Sequence, residues 1–155
     1  MALRLRGALL ALIAFLCSAG CERNSESNYP ARFPFAYVQR ECGPTDGDAL
    51  NFYFTLNQSQ LGKYQEPFLV ISVNENVPSS APQDYSIKLG KYALLASRCL
   101  SPGKCDAAIS GYLHLTTFSR GGGATGKYEL HFQDGRVERD SFAATWHVVE
   151  HLTCG

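Results

Sequence analysis

The segment Gly126-Lys-Tyr-Glu-Leu-His-Phe-Gln-Asp-Gly135 carries the pattern of a β-strand followed by a tight turn. Tyr128, Leu130 and Phe132 alternate with polar residues, as in a strand that buries one of its two faces. Asp134-Gly135 favours a two-residue hairpin turn, because glycine accepts the positive φ that such a turn requires. The segment therefore predicts an antiparallel hairpin with one apolar face.

A similar alternation recurs along most of the chain. Apolar and polar side chains alternate in runs near residues 35–40, 50–57, 67–73, 85–89, 92–97, 109–116, 128–132 and 137–146. Turn residues separate these runs, and the glycines at 121–123 predict a hairpin tip. Seven or eight short strands predict an all-β domain, either an antiparallel β-sandwich of the immunoglobulin type or a small barrel.

The hairpin at residues 126–135 continues into Ser141-Phe-Ala-Ala-Thr-Trp146, another stretch with apolar residues at every second position. Together the two stretches resemble the closing hairpin of small uncharacterised β-proteins of the bacterial envelope. The resemblance covers a small part of the chain. It implies a β-architecture, and it implies no activity, ligand or catalytic residue.

The chain begins with the three parts of an export signal. Arg4 and Arg6 supply positive charge, and an unbroken apolar run extends from Ala8 to Cys17. Small residues follow at positions 18–20, as a signal peptidase requires around the cleaved bond. The apolar run is shorter than the ~20 residues that a membrane-spanning helix needs. Residues 1–20 are therefore predicted to be a cleaved signal peptide.

Ala19-Gly20-Cys21 resembles the lipobox of bacterial lipoproteins, with Ser18 in the place where that family usually carries leucine. The resemblance implies that the thiol of Cys21 receives a diacylglycerol, which anchors the mature chain to a membrane of the cell envelope, facing the periplasm. Residues 21–32 are predicted to be a flexible polar tether, and residues 33–155 a single β-domain. An ordinary secreted protein is the alternative.

Four cysteines remain after those of the signal and the lipobox, and they permit three pairings. An even number in an exported chain predicts disulfide bonds. Cys99 and Cys105 flank a Ser-Pro-Gly turn, which favours a bond between them, and Cys42 then pairs with Cys154. The spacing contains no C-x₂₋₄-C pair, which disfavours a zinc site made of these thiolates.

The composition of the mature chain narrows the classes of partner. Removing the signal leaves 135 of the 155 residues, enough for one hydrophobic core. It also takes Arg4 and Arg6 from the 14 basic residues, and the remaining 12 against 14 acidic residues give a net charge of −2. Nucleic acid is therefore not expected as a partner. We expect no cofactor. The expected partners are the membrane, which the lipid on Cys21 contacts, and a protein or a glycan.

His147-Val-Val-Glu-His151 matches the H-x-x-E-H signature of the inverted zinc proteases. On a helix both histidines would lie on one face and bind one metal ion, with Glu150 as the general base. The preceding residues, however, predict a strand, in which histidines four residues apart lie ~13 Å apart. We therefore expect no metal and no catalytic residue here, and a zinc-dependent hydrolase that uses this segment is the alternative function.

Other polar groups also favour structural roles. Asp46-Gly47-Asp48 has too few oxygen positions for a calcium-binding loop, so a turn is expected. His114 and His131 are expected on the exposed outward faces of neighbouring strands. A G-x-S-x-G nucleophile motif does not occur in the sequence.

Three aromatic residues suggest a binding surface. Tyr53, Tyr112 and Phe118 fall opposite the aliphatic face of their strands. In a two-layer sandwich such residues project into solvent, where they form a patch for a protein or a glycan. The alternative is that a crossing loop covers them or that their faces are assigned wrongly. Because no catalytic set is assembled, the sequence predicts a non-catalytic extracytoplasmic binding module.

Overall fold

The computed structural model describes residues 32–44, 47–58, 65–75, 77–88, 91–149 and 154. These residues form eight β-strands and no α-helix, and thus no helix among them is long and apolar enough to cross a membrane. The strands are Phe35–Cys42 (β1), Asp48–Thr55 (β2), Phe68–Val73 (β3), Gln83–Ser86 (β4), Leu94–Ser101 (β5), Lys104–Ser119 (β6), Gly123–Phe132 (β7) and Val137–His147 (β8). Each overlaps one of the runs predicted from alternation, which confirms the all-β prediction.

Seven of the strands close into a barrel in the order β6-β5-β3-β2-β1-β8-β7, because β6 also pairs with β7. The short strand β4 adds to the second half of β6. Every pairing is antiparallel except that of β1 with β8, which is parallel and aligns Ala36 with Ala144. Of the two predicted architectures the barrel is therefore the one that forms, and the single parallel pair departs from the predicted antiparallel sheet. Closure removes the unpaired edges that an open sheet would expose.

The interior of the barrel is filled by side chains. The inward-facing residues form one hydrophobic cluster, whose most deeply buried members include Val38, Phe52, Phe54, Leu69, Ile71, Leu113, Leu115, Leu130 and Phe132. Each of these is at most 2% exposed. A packed interior leaves no room for a large internal ligand, so the outer surface and the ends of the barrel are the places where binding can occur.

β6 changes the direction of its side chains along its length. Its pairing with β7 is interrupted by β-bulges at Ala108–Ser110 and at Leu115–Thr117. A bulge adds one residue to a strand and so shifts the alternation between inward and outward positions. Leu113 and Leu115 point inward between the bulges, and beyond the second bulge Phe118 also packs against the interior. An uninterrupted alternation would place Phe118 on the outward face.

Both predicted disulfides form. Cys99 and Cys105 face each other across β5 and β6, with their Cα atoms 4.0 Å apart. Cys42 ends β1 and is bonded to Cys154, with a Cα–Cα distance of 5.3 Å. The first bond cross-links the two strands of one hairpin, whereas the second cross-links the first strand to a residue 112 positions away. The disulfide framework predicted from the sequence is confirmed.

The two predicted hairpin tips also form, and each contains a glycine with a positive φ. Gly121 has a φ of 83° between β6 and β7, and Gly135 has a φ of 81° between β7 and β8. Other predictions lie outside the described residues, namely those on the signal peptide, on Cys21 and the tether up to residue 31, and on Asp46, Glu150 and His151.

Candidate binding surface

The outward face of β6, β7 and β8 carries a row of exposed apolar side chains. The register aligns Ser110 with His131 and His131 with Val137, so these residues lie side by side across three strands. Ile109 precedes Ser110 within the first bulge and is 60% exposed, while Val137 is 45% exposed. We call the set of Ile109, Tyr112, His131 and Val137 the outer patch.

Tyr112 lies in the next row of the outer patch. It aligns with Ser86 of β4 on one side and with Glu129 of β7 on the other. Its side chain is 38% exposed, in agreement with its predicted outward position. Direct and diagonal neighbours on one sheet face lie within ~5–8 Å of each other. Tyr112 and His131 are therefore close enough for one partner to cover both.

Two histidine–carboxylate pairs flank Tyr112. His131 Nε2 lies 3.0 Å from Glu129 Oε1, and His114 Nδ1 lies 2.6 Å from Asp84 Oδ1. Both histidines are on the outward face, as predicted, with side chains 42% and 29% exposed respectively. These pairs place polar groups beside an apolar centre, which is the arrangement found at protein–protein interfaces.

The prediction that Tyr53 belongs to an exposed patch is wrong. Tyr53 points away from the barrel interior, but it is only 5% exposed. Its ring stacks on that of Tyr37 at a centroid distance of 5.1 Å, and its hydroxyl donates a hydrogen bond of 2.7 Å to Glu41. Together with Phe68 and Cys99, the two tyrosines form a second buried cluster. Tyr53 therefore stabilises the fold and offers no surface for a partner.

The outward assignment of Phe118 is also wrong. Its ring lies 6.2 Å from that of Trp146, and both pack against the interior cluster. The bulge at Leu115–Thr117 is the cause, because it shifts the alternation by one residue. Thr117 pairs across the strands instead, with its Oγ1 2.7 Å from that of Thr125. The three aromatic residues of the predicted patch therefore do not lie together.

Arg98 closes one end of the barrel. Its side chain is 1% exposed, and its guanidinium lies 4.2 Å from the centre of the Phe132 ring. The guanidinium is 2.5 Å from Asp134 and 3.3 Å from Asp106. It is also 3.4 Å from Glu138. The three carboxylates come from the β7–β8 turn, β6 and β8, so one cation holds three parts of the chain together.

Arg98 stays charged despite its burial, because three carboxylates surround its guanidinium. Burial disfavours its charged form, but the hydrogen bonds and charges of Asp134 and Glu138 outweigh that effect, and the pKa of Arg98 is raised. A hydrogen bond from the backbone amide of Arg136 lowers the pKa of Asp134, and a further one from Arg98 adds to this shift. A cavity of about 490 Å³ adjoins the cluster, lined in part by Gln133. Because the guanidinium already has its partners, we interpret this cluster as structural.

The zinc-protease segment begins in a strand. His147 is the last residue of β8, and its ring meets that of Tyr37 edge-on at a centroid distance of 6.0 Å. The metal-binding arrangement requires a helical turn that starts at this residue, and β8 extends through it. Within the described ranges, His, Cys, Asp and Glu side chains form no group of three or more that could hold a metal ion.

The carboxylate of Asp48, in the segment considered for calcium, is engaged by two arginines. Arg40 lies 2.5 Å from its Oδ1 atom, and Arg120 lies 3.6 Å from its Oδ2 atom. Asp48 is the first residue of β2, next to the loop that follows β1. These contacts join the ends of β1 and β2 to the tip of the β6–β7 hairpin.

Sequence reasoning missed Ile109 and Arg98. Strict alternation placed Ile109 on the buried face with Leu113, whereas the first bulge turns it outward. Arg98 could have been found, because it follows Leu94 and Ala96 at a spacing of two and therefore shares their inward face. A charged residue at such a position predicts a buried ion pair.

Comparison with known proteins assigns no family to this chain. No protein-family model matches it, and neither a curated protein nor a solved structure matches it. The outer patch and the ends of the barrel are therefore the observations from which a function is inferred.

Proposed function

We propose that this chain is a non-catalytic module of the bacterial cell envelope that is held by a lipid on Cys21 and binds a protein partner through the outer patch. The export signal and the lipobox resemblance support the location, and the two disulfides suit an oxidising compartment outside the cytoplasm. The exposed apolar centre of the outer patch is the observation that carries the proposal.

The exposure of neighbouring apolar side chains supports binding at this face. A single exposed aliphatic residue is common on protein surfaces. Here Ile109, 60% exposed, and Val137, 45% exposed, occupy one sheet face together with Tyr112. A partner that covered the face would bury all three, and full burial of an aliphatic side chain contributes about 1.5–3 kcal/mol. Tyrosine is also among the residues enriched at the energetic centres of interfaces.

The chemistry of the patch favours a protein over a glycan. A sugar presents many hydroxyl groups, which need hydrogen-bond partners when they are buried. Ile109 and Val137 offer none, and Tyr112 supplies the one six-membered aromatic ring of the outer patch on which a sugar could stack. An apolar centre with histidine–carboxylate pairs beside it matches a protein surface better.

Site-specific photo-crosslinking in the native envelope tests the proposal. A photoreactive phenylalanine analogue at position 112 is expected to give a discrete adduct with one envelope protein. Phe35 supplies the matched control position, because it is 38% exposed, like Tyr112, but lies on β1, outside the three strands of the outer patch. Equal adducts from both positions, or none from position 112, would contradict the proposal.

Direct binding to the captured partner then tests the apolar centre. We expect Ile109→Ser combined with Val137→Ser to weaken the affinity at least about tenfold, since ~1.4 kcal/mol of lost burial suffices for that factor. Both positions are exposed, so thermal unfolding of the variant is expected to stay near that of the wild type. An unchanged affinity would move the interface elsewhere on the molecule.

The lipid anchor has a separate test. Cys21→Ser is expected to move the mature protein from the membrane fraction to the soluble fraction, because an acyl chain requires the thiol. Intact mass spectrometry of the wild-type protein is expected to show a chain that begins at Cys21 with added acyl mass. A chain that begins there without acyl mass would identify an ordinary secreted protein.

A further inference from the structure

One of the two histidine–carboxylate pairs lies within the outer patch. His131 Nε2 is 3.0 Å from Glu129 Oε1, and both residues belong to β7. Their side chains are 42% and 30% exposed, so water reaches both of them in the free protein. Ile109 and Val137 lie beside His131 on the two neighbouring strands. A partner that covers these two apolar side chains therefore also covers the histidine–carboxylate pair.

The charged and titratable groups near His131 come from three strands. Glu129 lies on the same strand, and the phenol of Tyr112 lies at the diagonal position on β6. Arg139 is exposed and lies opposite Glu129 on β8. The residues directly opposite His131 on β6 and β8 carry no charge. Among the described neighbours of His131 in this register, Glu129 supplies the negative charge and Arg139 the fixed positive charge.

The protonation state of His131 decides the net charge of the pair. Histidine gains or loses its proton between about pH 5 and about pH 8. A protonated imidazole and the Glu129 carboxylate form a neutral ion pair, whereas a neutral imidazole leaves the pair with a net negative charge. Removing an unpaired charge from water costs more free energy than removing a hydrogen-bonded ion pair. The pair is therefore easier to cover when His131 carries its proton.

We propose that the outer patch binds its protein partner with uptake of a proton at His131, so that the affinity rises as the pH falls from about 8 to about 5.5. The inference rests on the proposed function, because it assigns a regulation to that same surface. We expect the affinity to change about tenfold over this range, which corresponds to about 1.4 kcal/mol. Binding by the patch would then respond to the acidity of the medium around the domain.

The second histidine–carboxylate pair supplies a matched control. His114 Nδ1 is 2.6 Å from Asp84 Oδ1, but Asp84 is 81% exposed and lies on β4, at the edge of the sheet. Lys127 lies opposite His114 on β7 and adds a further cation. A charged pair at the rim of an interface keeps its contact with water and contributes little to the affinity. We therefore expect His114 to contribute little to the pH dependence.

Calorimetric titration with the partner captured at position 112 tests the proposal. The affinity is measured between about pH 5.5 and about pH 8, in buffers of different ionisation enthalpy that report the protons taken up. His131→Gln keeps a neutral hydrogen-bonding side chain and is expected to bind with nearly the same affinity throughout. His114→Gln is expected to keep the pH dependence of the wild type. A pH dependence that His114→Gln removes and His131→Gln retains would overturn the proposal.

Glu129→Gln tests the sign of the effect. Without the carboxylate, the charge left beside His131 is that of Arg139, and a neighbouring positive charge disfavours the protonated imidazole. We expect the affinity of this variant to fall as the pH is lowered. A purely structural role of Glu129 would weaken binding equally at all pH values. A rise in acid equal to that of the wild type would contradict the assignment to this pair.

Failure of this inference is distinguishable from failure of the proposed function. An affinity of the wild type that is the same at every pH keeps the outer patch as an interface and overturns proton uptake at His131. Absence of binding at every pH overturns both. Thermal unfolding over the same range shows that the fold persists, because Asp134, whose pKa is lowered, keeps its charge above about pH 4.

Discussion

The guanidinium of Arg98 lies 2.5 Å from the carboxylate of Asp134, across one end of the barrel. Arg98 belongs to β5 and Asp134 to the turn between β7 and β8, so the contact joins residues 36 positions apart. The same guanidinium covers the ring of Phe132, the last residue of β7. One buried cation therefore connects the β7–β8 hairpin to β5, the strand on the other side of β6.

Replacement of Arg98 is expected to be strongly destabilising. Arg98→Met should lower the free energy of unfolding by about 3 kcal/mol, because it leaves the 12%-exposed carboxylate of Glu138 without its cation. The matched control is Arg40→Met, which removes an exposed partner of Asp48 and should cost less than about 1 kcal/mol. Urea denaturation measures both values. Equal losses would show that the cluster at the barrel end is not a special source of stability.

The lowered pKa of Asp134 predicts a loss of stability in acid. A carboxyl group with a lower pKa in the folded chain stabilises the fold above its unfolded pKa, about 4, and this contribution is lost as the pH falls through the folded pKa. We therefore expect the melting temperature to decrease as the pH is lowered below about 4. In Asp134→Asn this decrease is expected to be less steep. Thermal unfolding between about pH 2 and about pH 6 measures the slope.

A second substitution controls for general acid effects. Glu75→Gln alters an exposed residue just after β3, away from Arg98, and is expected to keep the wild-type slope. The linkage to Arg98 is supported only if Asp134→Asn flattens the curve and Glu75→Gln does not.

The two disulfides are expected to contribute unequally. In the chain-entropy model the Cys42–Cys154 bond, with a separation of 112 residues, contributes about 5 kcal/mol. The Cys99–Cys105 bond, with a separation of 6, contributes about 2 kcal/mol. Replacing each pair by serine and comparing the urea midpoints tests this order. A larger loss from the Cys99–Cys105 pair would mean that hairpin packing outweighs the constraint on the unfolded chain.

Two glycines are expected to resist substitution for different reasons. A Cβ atom at Gly126 would lie 2.3 Å from the carbonyl oxygen of His114 and 3.0 Å from the ring of Phe142, so Gly126→Ala should cost about 3 kcal/mol. Gly121 has open space around it and a φ of +83°, so Gly121→Ala should cost only about 1 kcal/mol of backbone strain. Thermal unfolding of the two variants tests this order, and similar losses would contradict it.

The two tyrosines of the predicted patch are expected to behave in opposite ways. Tyr53→Ser should lower the free energy of unfolding by about 3–4 kcal/mol, because it leaves a hole beside Tyr37. Tyr112→Ser should change it by less than about 1 kcal/mol, because the side chain is 38% exposed. Urea denaturation distinguishes them. A large loss for Tyr112→Ser would remove it from the list of binding residues.

Structural features that depend only on residues close together in the chain were predictable from the sequence. The alternation at Tyr128, Leu130 and Phe132 is sufficient to place β7, since apolar residues at every second position mark the buried face of a strand. Asp134-Gly135 is sufficient to place the following turn, because the required positive φ selects glycine. The Cys99–Cys105 bond follows from the same local logic, as a short turn brings the two residues together.

The faces of individual side chains were less predictable. Ile109 and Phe118 were assigned to the wrong faces because bulges in β6 shift the alternation, and a bulge arises from pairing with another strand. Tyr53 was assigned to the correct face, but its exposure was wrong because both sides of β2 are buried. The candidate interface therefore retains only Tyr112 from the predicted patch.

The sequence by itself predicted seven or eight strands and their approximate positions, the hairpin turns and the bond between Cys99 and Cys105. These features rest on alternation and turn chemistry, which act between residues close together in the chain. Only the tertiary structure decided that the sheet closes through Ala36 and Ala144, and that Arg98 meets Asp106, Asp134 and Glu138. The reason is physical, because such contacts join residues remote in sequence whose meeting depends on the register of every strand between them.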